Sequence, residues 1–452
     1  MSSVFNLSNI LSAFSSSQGI NVQAAVAQAL AAESGPMVQW QNQQAFLQAQ
    51  TGDIQFIEGH LSTLQDSLNA LNDPAGTLMS MLATSSNSNI VTASVAPGAA
   101  AGNHVVEVDS VATTGSWYSD AVASSSDPLP SGGFTLQVGS NAPIQITIGG
   151  DVSTMDQLAA YINGLGAGVT ANVVHDASGA RLAIMSNDSG AANDITISNV
   201  TGLGFTQATK GVDASLTVDG IPIDSASNTV SGVIPGVTFN LVSAVIGQKV
   251  NIAISQDSDK ITQAVNDFVT AYNAVIGDVN KEFTVAANHA QGPLASDSTL
   301  RILQDMLLGT GSYSNGSSTI SSLSSLGITM NDDGTLTVDN GVLGTAIQEN
   351  FADVKTFFQG TASDGFAATF NNQLNTMTDA TNGAFTVDLQ SMNNEIKDLQ
   401  DQIDNFQLYL QSEQARLTDE FNRADALLQQ LPILEAQIKA QLSGLNGSGS
   451  GS

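Results

Sequence analysis

The sequence predicts an α+β multidomain fold, in which both chain ends build a long α-helical coiled-coil or bundle stalk and β-rich domains are inserted in the middle. Three observations predict it. Apolar residues fall seven apart at Trp40, Leu47, Ile54, Leu61 and Leu68. A second seven-residue register runs through Leu389, Ile396, Ile403, Leu410 and Leu417. Between about residues 85 and 258 the apolar period changes to two. A seven-residue repeat lines one seam of a helix, whereas a period of two lines one face of a strand.

The elements follow in order. Residues 1–18 are rich in Ser and Asn yet carry Val4, Leu7, Leu11 and Phe14 at helical spacing, and Val22, Val26 and Leu30 repeat the pattern. Each stripe is too thin to fold alone, so 1–36 and 432–446 are expected to be flexible terminal segments that stay disordered or order against a partner. The long helix is expected within 37–75. Pro36 sits near its start, Asn72-Asp73-Pro74 ends it, and Ile57, Leu64 and Leu71 fill its second seam.

The β region divides into one domain of 76–112 and 200–258 and a second, inserted one of 113–199. Its runs include His104–Val108, Phe134–Val138, Ile144–Ile148, Val237–Leu241 and Val250–Ile254, with one helix at Met155–Asn163. The stalk resumes over 259–431. It holds helices at Ile261–Phe283, Thr299–Leu308 and Ala346–Phe358 and a hairpin at Ile328–Val338. The last heptad helix has a second seam of Met392, Leu399, Phe406, Leu427 and Leu434, broken by Glu413 and Glu420. Those glutamates are either solvated by a drift of the seam or set register and oligomer state. The other reading of both heptad runs, ordinary helix faces in a bundle, also brings the chain ends together. Pro432 is expected to kink or end the last helix near Leu431. Residues 447–452 read as a linker or tag-like tail.

Composition excludes several functions. With 11 Lys+Arg against 41 Asp+Glu, the formal charge is −30, and the first basic residue is Arg181. Nucleic acid and anionic lipid are poor partners for such a chain. The absence of cysteine removes disulfides, thiolate nucleophiles and Cys-ligated metals, and His60, His104, His175 and His289 are scattered. No apolar run is long enough for membrane insertion, and the amino-terminal stretch lacks the pattern of a cleaved secretory signal.

Site motifs are equally sparse. Asn331-Asp332-Asp333-Gly334 read as a calcium loop would need an acid at Thr329 and a bidentate Glu at Asn340, so it reads as a hairpin turn. Gly164-Leu-Gly-Ala-Gly168 follows a helix and lacks the third glycine of a dinucleotide fingerprint. No P-loop lysine, His-Glu-x-x-His or Gly-x-Ser-x-Gly motif occurs. No catalytic residue, metal site or cofactor is assigned, and the chain is read as no enzyme. Trp117 and Tyr118 are adjacent in the β region, so one of them must face outward as a possible surface contact.

Several stretches resemble one family. GINVQAAVAQALAAESGPMVQW at Gly19–Trp40 is similar to the amino-terminal signature of the flagellar filament cap, or flagellar hook-associated protein 2, family. FTLQVG at Phe134–Gly139, TMDQLAAYIN at Thr154–Asn163 and RLAIMSNDSG at Arg181–Gly190 look like the sheet-forming module shared with flagellins. LTVDGIPIDSASNTVSGVIPGVTFNL at Leu216–Leu241, GPLASDSTLRIL at Gly292–Leu303 and SLGITMNDDGTLTVD at Ser325–Asp339 resemble its carboxy-terminal region.

The resemblance implies an assembly protein that forms an oligomeric cap at the distal end of the bacterial flagellar filament and promotes flagellin folding and polymerisation. Implied partners are itself in a homo-oligomeric ring, a pentamer or similar, with flagellin, hook–filament junction proteins and a flagellar export chaperone. Implied localisation is extracellular, at the flagellar tip, after export by the flagellar type III apparatus without a cleaved signal. Filament or flagellin contact is then expected at Val4, Leu7, Leu11, Phe14, Val22, Val26 and Leu30, and chaperone or filament contact at Leu427, Leu431, Leu434 and Ile438. The other reading is an extracellular adhesin that presents Trp117 and Tyr118 to host glycan or mucin.

Overall fold

The computed structural model describes residues 21–285, 291–316, 318–361 and 364–446. The chain divides into two compact units, one of residues 1–69, 267–338 and 364–452, the other of 70–266 and 339–363. Val4, Leu7, Leu11 and Phe14 lie outside the described residues.

Helix α1 (Val22–Glu33) starts at Asn21, whose side chain accepts from the Ala24 N–H and so satisfies one of the free donors of the first turn. After Ser34, α2 (Gly35–Asn72) runs on. The predicted seams are its buried face: Leu47, Ile54, Leu61 and Leu68, with Ile57, Leu64 and Leu71, are all buried, and Trp40 is half-buried. The expectation of a flexible 1–36 is thus corrected over 22–36, which the structure shows as two helices joined by a turn at Ser34.

The second unit carries two antiparallel β modules. Strands β1 (Met81–Ser85), β2 (Val91–Val95) and β3 (Gly102–Ser110) begin the outer one. The chain then leaves for β4 (Ser116–Ser119), β5 (Gly132–Val138), β6 (Ile144–Ile148), α3 (Met155–Gly164), β7 (Val169–Asp176), β8 (Gly179–Ser186), β9 (Ile195–Thr201) and β10 (Phe205–Thr209). It returns through β11 (Ala214–Val218), β12 (Ile221–Ser225), β13 (Thr229–Ile234), β14 (Val237–Leu241) and β15 (Lys249–Gln256).

The outer module pairs a sheet of order β1-β15-β3-β11-β12 with one of order β13-β14-β2. Alternate residues such as Leu216, Val218, Phe239, Val250 and Ile252 meet in its core. The inner module joins β10-β4-β8-β7, β6-β5-β9 and α3 around Phe134, Leu136, Ile146, Leu158, Leu182 and Ile184. Thr154 and Gln157 form a capping box at the start of α3. At its end the Asn163 amide donates to the Ala171 carbonyl and accepts from the Ala171 N–H, closing off part of the β7 edge. Leu203 and Phe205 pack into the inner core. The chain therefore crosses back later than the expected boundary at 199, where Thr113 bridges Val212.

Helix α4 (Ser258–Phe283) follows β15, then α5 (Ser298–Gly309), the hairpin β16 (Ile328–Met330) and β17 (Leu336–Val338), and helices α6 (Asn340–Glu349) and α7 (Phe351–Gln359). The expected single helix at 346–358 is broken at Asn350, whose φ of −130° is not helical. The hairpin turn is as read: Gly334 has φ +81°, and the Asp333 carboxylate accepts from the Thr335 N–H and hydroxyl. Helices α8 (Phe366–Thr378) and α9 (Ala384–Asn446) are the last elements of the described residues.

In the first unit, Phe268 and Tyr272 of α4 meet Phe366 and Phe370 of α8, and the Tyr272 hydroxyl donates to the Leu307 carbonyl at 2.9 Å. Burial pushes that phenol up to about 12. Helices α2 and α9 touch in antiparallel sense. Trp40 stacks edge-on against Phe406 at 5.5 Å, Gln44 donates to Gln400 at 2.9 Å, Gln43 donates to Glu395 at 2.8 Å, and Thr51 lies 4.0 Å from the Met392 sulfur.

Pro432 does not end α9, which continues to Asn446. Pro432 offers no N–H to the Leu428 carbonyl, and Leu428 is exposed, so the lost bond falls on the solvent side of the helix rather than in a core.

Candidate assembly surfaces

The expected contact residues separate by burial. In α1, Val26 is only 4% exposed, with Val22 and Leu30 half-buried, because α1 packs along α9. On α9 the seam residues Leu399 and Ile403 are buried, and Leu389, Ile396, Leu410 and Leu417 are half-buried. Beyond Asp425 the stripe loses its cover: Leu427 is 65% exposed, Leu431 58%, Leu434 53% and Ile438 52%. These four apolar residues share one exposed face of the helix.

The two seam glutamates behave differently. The Glu413 side chain is 11% exposed, and the Arg416 guanidinium donates to both of its oxygens, which holds the carboxyl below its ordinary range. Glu420 is solvated, and Arg416 reaches it at 2.8 Å with its other nitrogen. One arginine, three residues after one glutamate and four before the other, thus serves both.

Trp117 and Tyr118 split as strand geometry requires. The Trp117 indole N–H donates to the Ile195 carbonyl at 2.8 Å and the ring packs on the inner core. Tyr118 faces outward, with the Arg181 guanidinium 5.6 Å from its ring centroid. Arg181 also donates to the Asp176 carboxylate and the Ser119 carbonyl.

Sequence separation hid other pairings. His60 lies 2.5 Å from Asp278 and meets the Phe56 ring edge-on at 4.8 Å between centroids, while His104 reaches Asp219 at 2.8 Å and lowers that carboxyl. Nearby in the first unit, Glu282 accepts from the Leu294 N–H at 2.9 Å, and burial raises its carboxyl, aided by Asp53. A groove of about 470 Å³ lies between α5 and α8, lined by Asp305, Met306, Tyr313, Phe366, Phe370 and Gln373. Its lining has one carboxylate and no histidine, lysine or cysteine to activate a nucleophile. Among the described residues no cluster of three or more His, Cys, Asp or Glu could hold a metal, and no helix is long and apolar enough to cross a membrane.

Comparison with known proteins points one way. The family model "Flagellar hook-associated protein 2 N-terminus" matches residues 18–115, and "Flagellar hook-associated protein 2 C-terminus" matches 211–432. The two lie on either side of the inner β module and together span well over half of the chain. The B-type flagellar hook-associated protein 2 of Pseudomonas aeruginosa is 29% identical over 423 residues, covering 86% of this chain and 88% of that protein. Flagellar hook-associated protein 2 of Escherichia coli K12 is 26% identical, covering 95% of this chain and 97% of its own. The crystal structure of the E. coli flagellar cap protein FliD, domains D1-D2-D3, superposes with a TM-score of 0.59 at 26% identity, over 75% of this chain and 99% of that one. None of these relatives is described as an adhesin. Helical ends that pack together, a β insertion that leaves and returns, and a match to both terminal family models lead to one conclusion: the chain belongs to the flagellar hook-associated protein 2 family.

Proposed function

We infer that the chain is a structural assembly subunit that forms an oligomeric cap at the distal end of the bacterial flagellar filament and promotes flagellin folding and polymerisation. The observation that carries this is the match at both ends of the β insertion, to family models over 18–115 and 211–432 and to a solved cap protein over 99% of its length. The work is done by binding and geometry, and no bond in flagellin is made or broken.

Helices α2 and α9 act as an antiparallel coiled-coil stalk, and the β modules form the outer plate of a closed ring of identical subunits. The exposed stripe Leu427, Leu431, Leu434 and Ile438 supports a further part of the reading: it is the surface that an export chaperone covers before secretion and that meets the filament afterwards. Hook–filament junction proteins are the remaining neighbours. The subunit is exported through the flagellar type III apparatus without a cleaved signal and resides at the flagellar tip.

Deleting the gene in the parent bacterium tests the reading. The expected result is loss of filaments with monomeric flagellin released into the medium. Filaments of normal length on the deleted strain would contradict it.

A further inference from the structure

The groove between α5 and α8 combines an apolar floor with a negative rim. Its volume of about 470 Å³ falls within the range of about 300–1,000 Å³ typical of ligand sites. Phe366 and Phe370, both buried and 5.8 Å apart between ring centroids, make the floor together with the half-buried Met306. Tyr313 stands edge-on to Phe366 at 5.3 Å and forms one wall.

The only charged side chain in the lining is Asp305, and no lysine, arginine or histidine lines the groove. Asp305 is exposed, and its carboxylate has no hydrogen-bond or ion-pair partner among the described residues. The carbonyl end of α5, where the helix dipole is negative, borders the groove at Gly309 and Thr310. At the Tyr313 wall, burial raises the phenol, and the nearby Asp364 carboxylate adds to the rise. The local field thus favours a cation.

Gly309 keeps the mouth open. Its φ of −62° and ψ of −25° are helical, so the backbone there accepts any residue that a helix accepts. A Cβ built on it would meet nothing within 4 Å. Neither backbone nor packing calls for glycine, a poorer helix former than alanine, and what its missing side chain leaves is room for a guest.

We propose that this groove takes an arginine side chain presented by a different protein, with the aliphatic stem on Phe366 and Phe370 and the guanidinium on the Asp305 carboxylate. A guanidinium is weakly hydrated, packs on aromatic rings and carries five donors, so it can serve Asp305 and the Tyr313 and Thr369 hydroxyls together. A second copy of the chain is the poorer source, because it brings the same charge of −30 and only 11 basic residues against 41 acids.

The test uses N-acetylarginine methylamide and its neutral isostere N-acetylcitrulline methylamide, titrated into the free full-length chain with 13C-methyl methionine. The Met306 methyl resonance, assigned with Met306→Leu, is expected to shift saturably with the arginine compound at a Kd on the order of 1 mM. The citrulline compound is expected to bind at least about fivefold more weakly. Asp305→Asn should weaken the arginine compound about threefold. Gly309→Leu, which fills the mouth, should remove the shift, with circular dichroism checking that both variants fold. The comparison of the two compounds on the unaltered chain needs no variant. No shift at Met306, equal binding of the two compounds, or unchanged binding to folded Gly309→Leu would each overturn the proposal. None of these results bears on the cap reading, since all are read on the free chain without flagellin.

Discussion

Asn273 offers a sharp test of how the helical unit holds its hairpin. The hairpin has three residue pairs, and Asn331 N–H bonds to the Thr335 carbonyl at 2.8 Å, which turns the polar groups of Leu336 outward from the ladder. Asn273 on α4 meets both: its amide donates to the Leu336 carbonyl at 2.8 Å and accepts from the Leu336 N–H at 2.7 Å. Leu336 is 2% exposed, so water cannot replace the amide. Asn273→Ala leaves two buried backbone groups unsatisfied, at about 1–3 kcal/mol each, and is expected to destabilise the unit by about 2–4 kcal/mol. Urea unfolding gives the free energy, and hydrogen exchange over 328–338 localises it.

Asn273→Asp sharpens the argument. A carboxylate still accepts from the Leu336 N–H but repels the Leu336 carbonyl, whereas its protonated form donates again. Its folded pKa is therefore raised, so its stabilising contribution is present below the unfolded value of about 3.9 and is lost as pH rises through the folded one. A loss under about 0.5 kcal/mol for Asn273→Ala, with unchanged exchange at Leu336, would refute the reasoning.

Other expectations follow from the same geometry. Gly139 has φ +50°, and a Cβ there would collide with the Ala192 carbonyl oxygen, so Gly139→Ala should cost about 2 kcal/mol or more and speed exchange in β5 and β9 before the outer module opens. Glu282→Gln removes a carboxylate that burial raises while keeping an acceptor for the Leu294 N–H. The wild-type contribution is full below the unfolded pKa and falls as pH rises through the folded one, so the variant should gain stability at neutral pH and match wild type in acid. Leu434→Asp, on the exposed end of α9, should change stability by less than about 0.5 kcal/mol yet reduce swarming in soft agar.

Much of the fold was legible because its signals are local and periodic. The seams Leu47–Leu68 and Ile57–Leu71 could be read off spacing alone, since burying one face of a long helix leaves a strict repeat. The Asp333-Gly334 turn was legible because few residues tolerate a positive φ there. What failed depended on surroundings. Asn350 breaks a run whose apolar spacing is continuous, and Pro432 is tolerated because its helix is solvated. The return at Thr209–Ala214 was misplaced because β10 is exposed after Phe205, so its short run carries no alternation that assigns it to either module. Among the candidate contacts, sequence marked the apolar stripes, but only the structure separates covered Val26 from uncovered Leu434. His60 with Asp278 and Asn273 with Leu336 join residues distant in the chain, and no single-chain pattern carries such pairings.

The central claim, a cap that lets flagellin assemble, is tested most directly by adding the purified chain to the medium of cells whose own gene is deleted and which release flagellin. The account predicts that filaments grow on those cells while monomeric flagellin in the medium falls. Filaments that stay absent with flagellin still accumulating, although the added chain is folded and bound at the flagellar tips, would contradict it.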